Sequence, residues 1–312
     1  MEIIAYILSI NTLTAAIRLA TPIALAAVGG VFSERSGVIN IGLEGMILTG
    51  AFAAAAASFF SGSPWIGVLA AVFAGMLMGM FFGLFTIDFK ANHVVAGVGI
   101  NIFALGLTTW LMQVIWGQKG ASPSVNGLAN LPIPLLSEIP ILGQLFFSHS
   151  PLVYLMFIIV ACGWILLFKT PFGLRIRFTG EHPEAADTMG INVRFFKYFS
   201  VTLSGVLASL GGAYLSLGHL NWFSSNMSAG RGYMALAANI FGQWNPLGAF
   251  GASMLFSFTD AVQMRLQGMN LNIASEFIQM LPYILTVIVL AGAVIRSRPP
   301  KALGEHYQSE GE

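Results

Sequence analysis

Apolar residues run along this chain in long, continuous stretches rather than in alternation. The stretches fall near residues 13–32, 38–60, 64–87, 94–116, 151–168, 198–218, 233–262 and 275–295. Most of them approach the roughly 20 residues that an α-helix needs to cross a hydrocarbon layer. The expected fold is therefore an all-α polytopic membrane protein with about 8–10 transmembrane helices. The upper figure allows for a short helix in the first 12 residues and for a break in the 233–262 run. That run is too long for one crossing and carries Pro246 and glycines, so a hairpin or re-entrant pair is expected. A β-barrel does not fit, because its strands alternate in polarity.

Composition agrees with lipid as the main solvent. The chain is 56% hydrophobic and only 9% charged, against about 25% charged residues in soluble domains. A net charge of +1 gives no reason to expect nucleic acid. Cys162 is the single cysteine and cannot form an internal disulfide. The N-terminus Met-Glu-Ile-Ile lacks the basic stretch of a cleavable signal peptide.

Lysine and arginine in short loops set the orientation. Loop 169–197 holds Lys169, Arg175, Arg177, Arg194 and Lys197, and the tail 296–312 holds Arg296, Arg298 and Lys301. Both are expected in the cytoplasm, as is the short turn with Lys90 and His93. The 117–150 connection carries one lysine, one glutamate and four prolines, and is expected outside, with Leu135 to Phe147 dipping into the interface. The 312 residues then form a single transmembrane domain. Gly75, Gly79 and Gly83 share one helix face and favour close packing, inside the chain or against a partner.

Three polar clusters interrupt the oil. The first runs from Ser33 to Gly45 and includes Glu34, Arg35, Asn40 and Glu44. Glu34 and Arg35, read as interfacial, need only water. Glu44 precedes the small and apolar run Met46 to Phe60, and a carboxylate at membrane depth costs about 2.5–3.5 kcal/mol even on lenient scales. It needs a partner or a water-filled cavity, and Gly37, Gly42 and Gly45 let the backbone unwind beside it. It either frames a translocation pathway or staples two helices. The second cluster, Gly230 to Gly248, offers Asn239, Gln243, Trp244 and Asn245, groups suited to a neutral, hydroxyl-rich solute or to a packed turn. Asn101 in the 94–116 run adds another amide. Together Asn40, Glu44, Asn101, Asn239, Gln243 and Trp244 are the candidate pathway residues.

The third cluster is Gly180 to Val193. Pro183 suits the first helical position, Glu184 and Asp187 complement the helix dipole, and Gly190 suits the stop. A helix of about seven residues, ~10 Å long, is expected, with Ala185, Ala186 and Met189 as a small smooth face. Basic residues flank it, so it is a candidate docking element. No phosphate-binding loop, metal-ligand spacing or nucleophile elbow occurs, so neither an ATPase site nor an enzyme is expected in this chain.

These motifs together resemble the permease subunits of bacterial ABC importers. They are Glu34 to Gly45, Gly180 to Ala186 continuing through Gly190 to Val193, and Gly230 to Tyr233 through Gly248-Ala249. The branch is the one with ribose, branched-chain amino acid and nucleoside permeases, and the nucleoside or simple-sugar members look most alike. The resemblance spans residues from about 13 to 295. It implies that Glu181, His182, Pro183, Glu184, Ala185, Ala186, Asp187, Met189 and Gly190 form a cytoplasmic coupling helix region that docks in an ATPase groove. His182 stands where many relatives have asparagine. It also implies a second permease subunit, an ABC ATPase that binds ATP and magnesium in place of this chain, and an extracytoplasmic solute-binding lipoprotein. The location implied is the bacterial cell membrane, and the solute a nucleoside or simple sugar. An ion- or proton-coupled secondary transporter of a small polar solute, using Glu44, is the rival reading.

Overall fold

The computed structural model describes residues 9–132, 143, 145, 147–269, 277, 280, 284, 287 and 298–307. The 275–295 crossing, the first eight residues and most of the Leu135 to Phe147 stretch lie outside the described residues.

Ten α-helices occur among the described residues: α1 (Ile10–Arg35), α2 (Leu43–Ser61), α3 (Pro64–Gly83), α4 (His93–Trp116), α5 (Pro151–Lys169), α6 (Pro171–Glu181), α7 (Pro183–Thr188), α8 (Val193–Ala213), α9 (Arg231–Phe241) and α10 (Pro246–Gln267). A π-helical turn extends α3 to Asp88 and another extends α8 to His219. Six of these are long and apolar enough to span a membrane: α1, α2, extended α3, α4, α5 and extended α8. They coincide with six of the stretches expected. Proline at the first turn starts α3, α5, α6, α7 and α10, where its missing N–H costs nothing.

Helix α1 is the axis of the bundle, and α5, α6, α8, α9 and α10 all pack against it. Helices α2 and α3 pack on each other and on α8, and α4 packs mainly on α2. Close approach along α3 and α8 requires glycine. A Cβ on Gly79 would lie 2.8 Å from Thr202 Cα, and one on Gly83 2.9 Å from Tyr198. The Gly75, Gly79 and Gly83 face is therefore spent on packing inside the chain.

The long 233–262 run is broken, as its proline implies. Its two pieces differ in length, α9 with 11 residues and α10 with 22. At 1.5 Å per residue α9 has the length for about half a membrane; α10 has the length for all of it but is not one of the six apolar spans. Helix α10 lies antiparallel to α1: Arg265 reaches Ser9 before the start of α1, and Arg35 at its end reaches the turn before α10.

The charged loops gather at one end. Arg194 pairs with Asp88 at 2.8 Å, the His306 ring meets that of His93 at 5.2 Å, and Ala302 N–H donates to Gly180 O at 3.0 Å. At the opposite end, Ser122, Val125 and Leu128 donate backbone hydrogen bonds to Phe223, Asn221 and Leu217. A short antiparallel ladder pairs β1 (Leu131–Pro132) with β2 (Ser148–His149).

Glycines that face open space should behave oppositely from those at the α3–α8 seam. Gly79→Ala is expected to destabilise the purified chain by about 1–3 kcal/mol through overpacking. Gly99→Ala, with nothing within 4 Å, should be neutral or stabilising by up to about 1 kcal/mol. Thermal unfolding of both variants in detergent is the measurement, and equal midpoints would contradict the seam.

Candidate functional site

The chain leaves α1 through Ser36 and Gly37, whose φ of +92° only glycine adopts without strain. It then enters α2 at Leu43. The helical backbone is broken from residue 36 to residue 42, and of the three glycines only Gly37 has a positive φ, since Gly42 has turn dihedrals and Gly45 lies within α2. Gly45 serves close approach instead, since a Cβ there would lie 3.0 Å from Asn101 Cα.

Glu44 sits on the first turn of α2 and is 8% exposed. Its carboxylate accepts from Gly230 N–H and Gly232 N–H, each at 2.7 Å, one on each oxygen. These are the opening amides of α9, which has no N-cap side chain of its own. A helix N-terminus presents unpaired donors and a partial positive charge, so a carboxylate from another helix answers both. Asn101 of α4 binds the same corner. Its Oδ1 accepts from Gly45 N–H at 2.8 Å, and its Nδ2 donates to Ile41 O at 3.0 Å and Tyr233 Oη at 3.1 Å. Tyr233 is half exposed at 49% and marks the open side of α9.

A second knot lies at the other end of α9. Glu34 is 4% exposed, so the expectation of a solvated interfacial carboxylate is corrected. It accepts from Trp244 Nε1, and from Asn239 Nδ2 at 3.5 Å. Arg35, also expected to need only water, donates from Nε to Trp244 O at 2.8 Å and from Nη2 to Gln243 O at 3.1 Å. Gln243 and Trp244 both have positive φ, 54° and 51°. Their turned carbonyls are the ones Arg35 holds. Glu34 and Arg35 were missed as candidates because local hydropathy puts them at a helix end, where water is the ordinary partner. Their only signal in the sequence was the second polar break, about 200 residues away, which needed partners.

The structure thus gathers Glu44 and Asn101 at the start of α9, through Gly230, Gly232 and Tyr233, and Asn239 and Trp244 at its end, through Glu34. Asn40 stands apart, fully buried, donating to Ser204 Oγ of α8 at 3.0 Å. The Gln243 side chain is exposed. Of the six candidates, Asn40, Glu44, Asn239 and Trp244 are buried among protein groups, and only Asn101 and Gln243 keep an open side. The arrangement can fix the short helix α9 at both ends among α1, α2 and α10. It offers no nucleophile and no metal cluster among the described residues.

At the charged end, α7 projects outward. Glu184, Ala185, Asp187, Thr188 and Met189 are exposed, Met189 at 73%, while Ala186 is fully buried. Ala186 therefore anchors the helix, and Ala185 with Met189 forms the outward face. Gly190, φ +78°, ends the turn. Helix α6 before it was not foreseen. Thr170 caps it, accepting from Gly173 N–H at 3.1 Å, and Pro171 opens it, the same start signal that revealed α7. A cavity of 670 Å³ lies beside α7, between Asp88, Lys90, His93, Asn192 and Lys197. It is not at the candidate pathway residues.

Comparison with known proteins adds a pattern over the whole chain. A family model described as branched-chain amino acid transport system / permease component matches residues 12–290. The guanosine ABC transporter permease protein NupQ of Bacillus subtilis is 43% identical over 92% of this chain and 93% of its own length. A putative glucose ABC transporter permease protein, TsgC13 of Haloferax volcanii, is 32% identical over 96% and 97%. NupP, another guanosine permease protein of Bacillus subtilis, is 26% identical over 90% of this chain and 81% of its own length.

Glu44→Ala leaves the Gly230 and Gly232 amides without their acceptor, at about 1–3 kcal/mol for each buried donor. Amide hydrogen exchange across 230–236 should accelerate while α5 is unchanged, with Glu44→Gln intermediate. Unaltered protection in Glu44→Ala would show that the carboxylate does not hold α9.

Proposed function

The chain belongs to the branched-chain amino acid transport system permease family, and we infer that it is the membrane subunit of an ATP-binding cassette importer for nucleosides. It is a multi-pass membrane protein with a transport role. Residues 169–197 and the tail 296–312 face the cytoplasm, and the 117–150 loop faces outward, as the lysine and arginine bias favours. Helix α7 then docks in a groove of a separate ATPase, which binds ATP and magnesium. The observation that carries this reading is the form of α7, a short, projecting helix opened by Pro183 with exposed Ala185 and Met189, in a chain that belongs to a permease family.

The open sides of α4 and α9 supply one wall of the pathway, with Asn101 and Tyr233 along it, and a second permease subunit supplies the other. NupQ and NupP, two guanosine permease proteins of one organism, favour a heterodimer. A solute-binding lipoprotein delivers the solute at the outer mouth. A nucleoside is preferred over a simple sugar because NupQ shares more identity with this chain than TsgC13 does. Binding of ATP closes the ATPase pair, moves the docking helices and rocks the bundle between outward and inward access. Glu44 is an unsuitable ion carrier, since both of its oxygens are occupied by backbone N–H groups. That speaks against the secondary-transporter reading.

Deleting Glu184–Asp187 should abolish ATP-driven uptake while the protein still reaches the membrane. Full uptake by the deletion would remove the docking role. Uptake of labelled guanosine should be competed by unlabelled nucleosides and not by glucose; competition by glucose alone would transfer the assignment to sugars.

A further inference from the structure

Residues 298–307 cross the charged end of the bundle and are held at specific points. Pro300 and Ala302 are buried, Ala302 at 4% exposure. Ala302 N–H donates to Gly180 O at 3.0 Å, and Gly304 N–H donates to Gly37 O at 2.9 Å. The first acceptor belongs to the end of α6, just before α7. The second belongs to the turn between α1 and α2. The fit leaves no slack: a Cβ on Gly37 would lie 3.1 Å from Ala302 O, and one on Gly180 would lie 3.0 Å from Gly37 N.

Further contacts widen the hold. Lys301 Nζ lies 3.5 Å from His182 Nε2, next to Pro183. Glu305 faces the cavity that is also lined by Lys197, a residue only 4% exposed on the first turns of α8. The His306 ring meets the His93 ring, whose Nδ1 accepts from Ile39 N–H at 3.3 Å. One short segment therefore touches the docking loop, the α1–α2 turn, and the starts of α4 and α8.

We propose that this C-terminal strap is a coupling element that ties the docking loop to the α1–α2 turn, so that both move as one body. The inference rests on the reading of α7 as the ATPase-docking helix. Helix α7 has six residues and packs on α6 and α8. A push on so short a helix would swing it between His182 and Gly190 unless the adjoining backbone is braced. The strap braces it at Gly180 and carries the displacement to Gly37. From there the α1–α2 turn leads to Glu44 and the start of α9. Ala302 and Gly304 are positioning residues in this scheme, acting through Gly180 and Gly37.

The test uses the assembled importer in liposomes, measuring both solute uptake and ATP hydrolysis. Two variants are compared: truncation after Pro299, and Ala302→Pro, which removes the N–H donated to Gly180. Both should retain the ATPase and its hydrolysis, while uptake per ATP falls at least about fivefold, the factor set by one hydrogen bond of ordinary net strength. An unchanged ratio in Ala302→Pro overturns the proposal, whether or not the truncated chain assembles. The Glu184–Asp187 deletion is assayed alongside. If it transports fully, the docking reading falls and the strap's role falls with it. If it is inactive while the strap variants keep their ratio, the strap alone is refuted.

Discussion

A helix whose first turn is buried in the protein must find acceptors for its first amides, and here one carboxylate supplies them. Glu44 accepts from Gly230 and Gly232 at the start of α9. Neither group is well tolerated alone when buried. An ionised carboxylate in hydrocarbon is costly, and so are unpaired N–H groups. Joined, each satisfies the other, and the dipole of α9 favours the negative charge. The glycines follow from this contact. Gly230 has φ +84°, and Gly232 lies so near the Glu44 backbone that a side chain has no room.

The same logic repeats at the lower end of α9 with different chemistry. There the orphan groups are the carbonyls of a left-handed turn at Gln243 and Trp244, and the cation Arg35 answers them. Its neighbour Glu34 takes the indole N–H. Helix α9 is thus clamped by an anion at its N-terminus and by a cation just past its C-terminus. The two clamps come from either side of the α1–α2 turn. Movement of that turn would shift both ends of α9 together. This gives the strap its consequence, because Gly37 at the centre of the turn is also the acceptor for Gly304.

Much of this was legible along the chain. Hydropathy located six spans to within a few residues, because a span's length is a local property set by membrane thickness. Capping chemistry located α7, since Pro183 and Gly190 act on their own backbone. The polar breaks were also visible as places needing explanation. Helix α6 was overlooked although Thr170 and Pro171 carry the same kind of signal, because its mixed polarity gave no apolar run. Glu34 and Arg35 were read as wet because a helix end at a loop is ordinarily wet.

The sequence by itself determined the class, six of the spans, the short helix α7 and the need for partners at Glu44. Each depends on a residue and its near neighbours, or on the mean polarity of about twenty residues. Only the tertiary structure decided who the partners are. Glu44 meets Gly230, Arg35 meets Trp244, and Ala302 meets Gly180, pairs separated by more than 100 residues. Hydrogen bonds form between groups about 3 Å apart in space. Nothing in local periodicity encodes which distant donor will arrive there. That choice is made when α1 takes the centre of the bundle and gathers the breaks around its end.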